Sequence, residues 1–142
     1  MFETIMVPID LAHRETLSRS LECAGDLAKL YGAEVVYVGV TSNVPSSVAH
    51  SAKEYGKHLT EFAEDQAKSY GIKARSLAAL ANDPVANIDD ALMAAVKGTG
   101  ADLVVMQSHM PNVIDYMWPS NGGKIAEHAR CSVMVVRDTV EK

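Results

Sequence analysis

Short, continuously apolar runs alternate along the chain with longer segments whose apolar residues recur every three or four positions. Few folds accommodate that alternation. A continuous apolar run needs burial on both faces, which a parallel sheet covered by helices on each side provides. Ile5 to Ile9 reads as a first strand, Val35 to Val40 as a second, Lys73 to Leu80 as a third, Leu103 to Met106 as a fourth and Val133 to Val136 as a fifth. Leu17, Leu21, Ala24, Ala28 and Tyr31 place one apolar stripe on a helix from about His13 to Tyr31. Val48, Tyr55, Leu59, Phe62 and Tyr70 mark a second helix. Asp83 as N-cap and Pro84 in the first turn open a third, with Val85, Ile88, Leu92 and Ala95 as its buried stripe, closed by Gly98 and Gly100. A short fourth helix is expected from about Ser120 to Ala129. The punctuation repeats, because Tyr31-Gly32 and Tyr70-Gly71 each close a helix just before a strand.

At 142 residues the chain has room for one domain, taken as residues 1–142. Strict alternation of strand and helix then gives an α/β fold: a single doubly wound, Rossmann-like, open five-stranded parallel sheet with helices on both faces. Right-handed crossovers and a third strand that carries Arg75, as an edge strand does, lead to the order 3-2-1-4-5. Its switch point lies between strands one and four, and ligands of such sheets bind beyond the carboxyl ends of the strands there. The residues that this places at the opening are Asp10, Val40 and Gln107 onward.

A net charge of −5 repels phosphate backbones and anionic bilayers, so neither nucleic acid nor a membrane surface is an expected partner. No apolar run approaches the roughly 18 residues needed to cross a bilayer. The N-terminal Met-Phe-Glu-Thr-Ile has neither a basic stretch nor a cleavage site, and a cytoplasmic protein is expected. Cys23 and Cys131 stand far apart without a CxxC or a nearby histidine pair and read as small buried apolar residues rather than as a disulfide or zinc site. His50, Glu54, Lys57, His58, Glu61 and Glu64 read as the solvated face of the second helix, not as metal ligands.

Two segments carry chemistry. Asp10 follows a central strand directly, where its carboxylate can accept a hydrogen bond from a ligand amine or cap the first helix. The other segment is Gln107 to Lys124, a loop leading into a helix start. Ser120 is a good N-cap there, and the free amides of Asn121 to Gly123 suit an anion. Tyr116, Met117 and Trp118 make that loop unusually apolar, as packing over the sheet edge, a lid on a base or a partner contact would require. Ser108 and His109 are adjacent, but no Gly-x-Ser-x-Gly elbow surrounds the serine. No catalytic residue is assigned. Asp10 and His109 are the available general bases for a nucleotide hydrolase.

Several stretches resemble the universal stress protein family over nearly the whole chain. They are Thr4 to Asp10, Ala33-Glu34-Val35, Asp83-Pro84, Ala101 to Met106 and, most specifically, His128 to Arg137. The resemblance implies a dimeric regulatory module that holds an adenine nucleotide, AMP or ATP with or without Mg, and is not primarily an enzyme. Members that bind ATP share a loop Gly-x2-Gly-x9-Gly-Ser or Gly-Thr. Here the glycine positions hold Gln107, Met110 and Pro119, and the second spacing is one residue shorter. A side chain at Met110 adds bulk where phosphate would approach, and Pro119 has no amide hydrogen to give. Carried over by position, Asp10 and the backbone of Val40 meet adenine, Gln107, Ser108, His109 and Met110 line the loop, and Ser120 and Asn121 meet phosphate. Lys124 is an additional cation near them.

The missing glycines keep a second reading open, a nucleotide-free stress protein that acts as a dimeric protein-interaction module. Both readings share an expectation about assembly. Val133, Met134, Val135 and Val136 form an apolar edge strand with no blunting proline or charge before Arg137. Antiparallel pairing of two such strands across a two-fold axis satisfies both edges, as in family members that dimerise through this strand.

Overall fold

The computed structural model describes residues 1–41, 49–81, 88–107 and 130–137, with Ile88 and Asp89 described for their backbone alone. The third helix's Asp83-Pro84 start and everything from Ser108 to Ala129 lie outside the described residues. In chain order come β1 (Thr4–Pro8), a 3-10 segment (Leu11–Leu17), α1 (Ser18–Tyr31), β2 (Glu34–Thr41), α2 (Ala52–Tyr70), β3 (Lys73–Leu80), α3 (Ile88–Thr99), β4 (Leu103–Gln107) and β5 (Ser132–Val136). The sheet is parallel throughout, in the expected order β3-β2-β1-β4-β5.

Strand alternation divides the core in two. Ile5, Val7, Val35, Tyr37, Leu103 and Val105 face the layer formed by α1 and α2, where Leu21, Ala24, Leu59 and Phe62 meet them. Met6, Val36, Val38, Val104 and Met106 face the opposite layer, against Leu92, Ala95 and Val96 of α3. Three central strands buried on both faces explain the continuous apolar runs, whereas β3 at the edge is half-buried or exposed along its whole length. The two Tyr-Gly punctuations fold alike. Gly32 and Gly71 take left-handed conformations, at φ 65° and 64°, and donate their amides to Ala28 and Ala67 respectively.

Two expectations need correction. The first helix does not begin as an α-helix at His13, because Leu11–Leu17 is a 3-10 segment kinked at His13 and α1 starts at Ser18. Apolar spacing is blind to that difference, since a tight turn with Leu11 and Leu17 inward presents the same stripe. Gly98 does not close the third helix either. The helix runs through it to Thr99, and Gly100 alone, at φ 71°, turns the chain out.

β1 pairs with β2 over five residues, Thr4 to Pro8, but with β4 only at Ile5–Leu103 and Met6–Val104. The cause lies in the sequence. The Ile9 amide donates to Val38 of β2, so the preceding residue, Pro8, has its backbone turned to β4, and proline has no hydrogen to donate. The ladder between β1 and β4 therefore stops where the switch-point opening begins. Its other end is held shut by Asp102, whose carboxylate accepts from the amides of Glu3 at 2.9 Å and Thr4 at 3.1 Å. Asp102→Ala removes both bonds and is expected to lower stability by about 1 to 2 kcal/mol in urea unfolding, with an unchanged m-value.

Candidate functional site

The opening is built from the carboxyl ends of β1, β2 and β4. Asp10, two residues past β1, is 8% exposed. Its Oδ1 accepts from the Ala12 amide at 3.1 Å, which makes it the N-cap of the 3-10 segment. Its Oδ2 lies 2.9 Å from Nδ1 of His13. The capping role is thus present, and each carboxylate oxygen retains a lone pair for a further donor.

Val40 contributes main chain. Val38 accepts from Ile9, so Val40, two residues on along β2, turns its amide and carbonyl to the same side, past the last register pair of β1 and β2 at Pro8–Val38. A donor and an acceptor together at a strand end are the pattern that the edge of a planar base matches. Gln107 is the last residue of β4 rather than the start of a loop, and it is buried. Its Oε1 accepts from the Ser20 amide at 3.2 Å, which ties β4 to the first turn of α1. Ser108, His109, Met110, Ser120 and Asn121, together with Tyr116, Met117, Trp118 and Lys124, lie outside the described residues.

Two residues that sequence reasoning had not assigned to the site stand beside Asp10. His13 is one, brought close by the 3-10 turn at a spacing of three residues. Tyr55 is the other. It reads as part of α2's apolar stripe, and it is buried, but its hydroxyl reaches the end of β2 and rests on Gly39. A Cβ built at Gly39 would lie 2.3 Å from that oxygen. Burial, and secondarily the negative charge of Asp10, push the Tyr55 hydroxyl well above the usual tyrosine range, so it stays a neutral donor. A glycine inside a strand was the available signal, since it marks a place where something must come close.

Elsewhere, a cleft of about 390 Å³ lies between the 3-10 segment and α2, lined by Leu11, Arg14, His58, Glu61, Phe62 and Asp65. Its charged groups, Arg14 against Glu61 and Asp65, are of mixed sign. His58 contacts Glu54 and Glu61 at 3.4 and 3.8 Å, on an exposed helix face. Among the described residues no three His, Cys, Asp or Glu side chains stand together as a metal site would need, and no helix is long and apolar enough to cross a membrane. Cys23 and Cys131 are free thiols but only half-buried, a correction to their reading as buried residues. The Cys23 Sγ lies 3.4 Å from Sδ of Met134 in β5.

Residues 1–137 match the model of the universal stress protein family. The chain is similar to universal stress protein G of Escherichia coli O157:H7, with 24% identity over 148 residues that cover 96% of this chain and 100% of that protein. Among solved structures it is similar to a universal stress protein in complex with cAMP, with a TM-score of 0.70 at 20% identity over 97% of this chain and 99% of that one. It is likewise similar to a family protein of Arabidopsis thaliana with AMP bound, with a TM-score of 0.67 at 16% identity over 97% and 93% of the two chains.

The Tyr55–Gly39 contact yields a direct test. Gly39→Ala is expected to lower thermal stability by about 1 to 3 kcal/mol, because the new methyl group meets the Tyr55 hydroxyl. Tyr55→Phe in the same chain should recover part of the loss, since the remaining ring atoms still lie 2.9 and 3.0 Å from that methyl position. Calorimetric melts of the two single variants and the double variant measure the coupling.

Proposed function

The chain belongs to the universal stress protein family, and from that premise we propose that it is a one-domain, non-enzymatic stress-response module that holds an adenine nucleotide at the opening between β1 and β4. The observation that carries this reading is the pairing of Asp10's carboxylate with the main chain of Val40 at the ends of adjacent strands, beside a ladder that Pro8 interrupts. A carboxylate acceptor next to a backbone donor and acceptor fits the amine and ring nitrogens of adenine. The AMP and cAMP carried by the two structural relatives support the same ligand class.

In this reading Asp10 and the main chain of Val40 meet the base, and the phosphate half falls to Ser108, His109, Met110, Ser120 and Asn121, with Gln107 at its root. With Met110 and Pro119 at glycine positions, AMP is the favoured occupant over Mg-ATP, because fewer backbone amides remain for a triphosphate. The same missing glycines favour the second reading, a nucleotide-free dimeric module that docks a protein partner. Protein denatured after purification should release AMP detectable by mass spectrometry, and the absence of any nucleotide, together with no heat of AMP binding in calorimetry, selects the second reading. Calorimetry should also give weak Mg-ATP binding that tightens in Met110→Gly with Pro119→Gly. A sub-micromolar dissociation constant for Mg-ATP in the parent overturns the preference for AMP.

The module acts as a homodimer in the cytoplasm, where free, half-exposed thiols such as Cys23 and Cys131 persist. β5 is the outer strand of the sheet, with Met134 38% and Val135 41% exposed. The Ser132 amide donates inward to Asp102, so alternate residues Val133 and Val135 turn their backbone groups outward. A second copy of β5, running antiparallel, pairs with those groups and covers both exposed side chains. Val135→Pro removes an outward donor and leaves the β4 ladder whole, so light scattering should show a dimer for the parent and a monomer for the variant. A parent that stays monomeric at micromolar concentration overturns the dimer.

A further inference from the structure

Asp10 is fixed from two sides. One carboxylate oxygen is held by the Ala12 amide and the other by the His13 ring, and the residue is nearly buried. His13 is held as firmly. Its amide donates to the Asp10 carbonyl at 3.0 Å, its own carbonyl accepts from the Thr16 hydroxyl at 2.7 Å, and its backbone, at φ −131° and ψ 33°, forms the kink in the 3-10 segment. The side chain is 32% exposed. A carboxylate only accepts, so Nδ1 must carry the proton that bridges to Asp10. In the neutral ring Nε2 is then left with a lone pair, and among the described residues no group donates to it.

We propose that His13 is a second ligand-reading side chain of this site, beside Asp10, and that Asp10 fixes its tautomer so that Nε2 accepts a hydrogen bond from a neutral N–H or O–H donor of the bound nucleotide. The proposal rests on the adenine-nucleotide reading above. It adds a ring nitrogen to the Asp10 carboxylate and the Val40 main chain that meet the base in that reading, and it leaves Asp10's remaining lone pairs to the ligand. Two donors of AMP have the required chemistry, the exocyclic amine of the base and the ribose hydroxyls. An imidazole locked by a carboxylate is a directional acceptor with little rotational freedom to lose on binding, which favours selection between nucleotides that differ in one donor.

Isosteric variants separate the two ring nitrogens. Asparagine at position 13 keeps an amide near the place of Nδ1 and deletes Nε2, whereas glutamine keeps a group near Nε2. Calorimetry with AMP should show about a tenfold loss of affinity in His13→Asn, with partial recovery in His13→Gln, the loss of one good hydrogen bond. Inosine monophosphate in place of AMP should lose the same factor if the amine is the donor, and 2′-deoxy-AMP if a ribose hydroxyl is. Asp10→Asn offers Nδ1 a donor in place of an acceptor, so it should invert the tautomer and weaken AMP binding while its oxygen still caps Ala12. Nitrogen NMR of the His13 ring reads that inversion without any ligand, from protonated Nδ1 in the parent to protonated Nε2 in the variant. Equal AMP affinity in His13→Asn and parent overturns the proposal and leaves the nucleotide reading standing. A parent ring protonated at Nε2 alone also overturns it, whatever binds. If the parent binds no adenine nucleotide, the reading fails and the proposal fails with it.

Discussion

The structure depends on β1 serving two neighbours unequally. Buried on both faces, it pairs along its full length with β2 but parts from β4 after Met6, where Pro8 brings no donor to that side. Were β1 paired equally on both sides, the sheet would be continuous at its centre. There the pairing with β4 ends after Met6, two residues before Pro8, which has no amide hydrogen to offer, and the strand ends around it present backbone groups already oriented. Asp102 works at the opposite end, binding the amides of Glu3 and Thr4 and so confining the opening to the carboxyl ends.

Around that opening the polar groups arrive from different layers. Asp10 comes directly off β1, His13 from the 3-10 turn that follows, and the Tyr55 hydroxyl from α2, held in place because Gly39 has no side chain. Gln107, at the end of β4, is tied to the start of α1 through Ser20, which braces the far wall. β5 lies at the other edge of the sheet from β3, and the Cys23–Met134 contact packs α1 against it.

Much of the fold was readable because its determinants are local or periodic. The bounds of β3 coincide with the expected Lys73 to Leu80, and the other strands differ by one residue at one end (β4, β5) or at both (β1, β2), since apolar runs mark what is buried rather than what is hydrogen-bonded. The Tyr-Gly pairs were dependable punctuation because a left-handed helix end imposes the same demand wherever it occurs. The 3-10 segment was not readable, because Leu11 and Leu17 satisfy either helix type and the choice between them rests on hydrogen bonds to Asp10 and from Thr16. Gly98 misled for the opposite reason. A glycine tolerated inside a helix looks in sequence like one that ends it.

The site divides along the same line. Asp10 and Val40 were legible as strand-end residues at a switch point, since topology alone places them, and the missing loop glycines at Gln107, Met110 and Pro119 are matters of sequence. Family membership likewise follows from the order of residues along the chain. The tertiary structure decided which groups Asp10 binds, that His13 turns a ring nitrogen toward it, and that the hydroxyl of the buried Tyr55 sits over Gly39. Sequence specifies periodicity, charge and backbone freedom residue by residue. A hydrogen bond between side chains from separate layers exists only once β1 and β2, with the helices packed on them, fix the distances, and no local pattern encodes those distances.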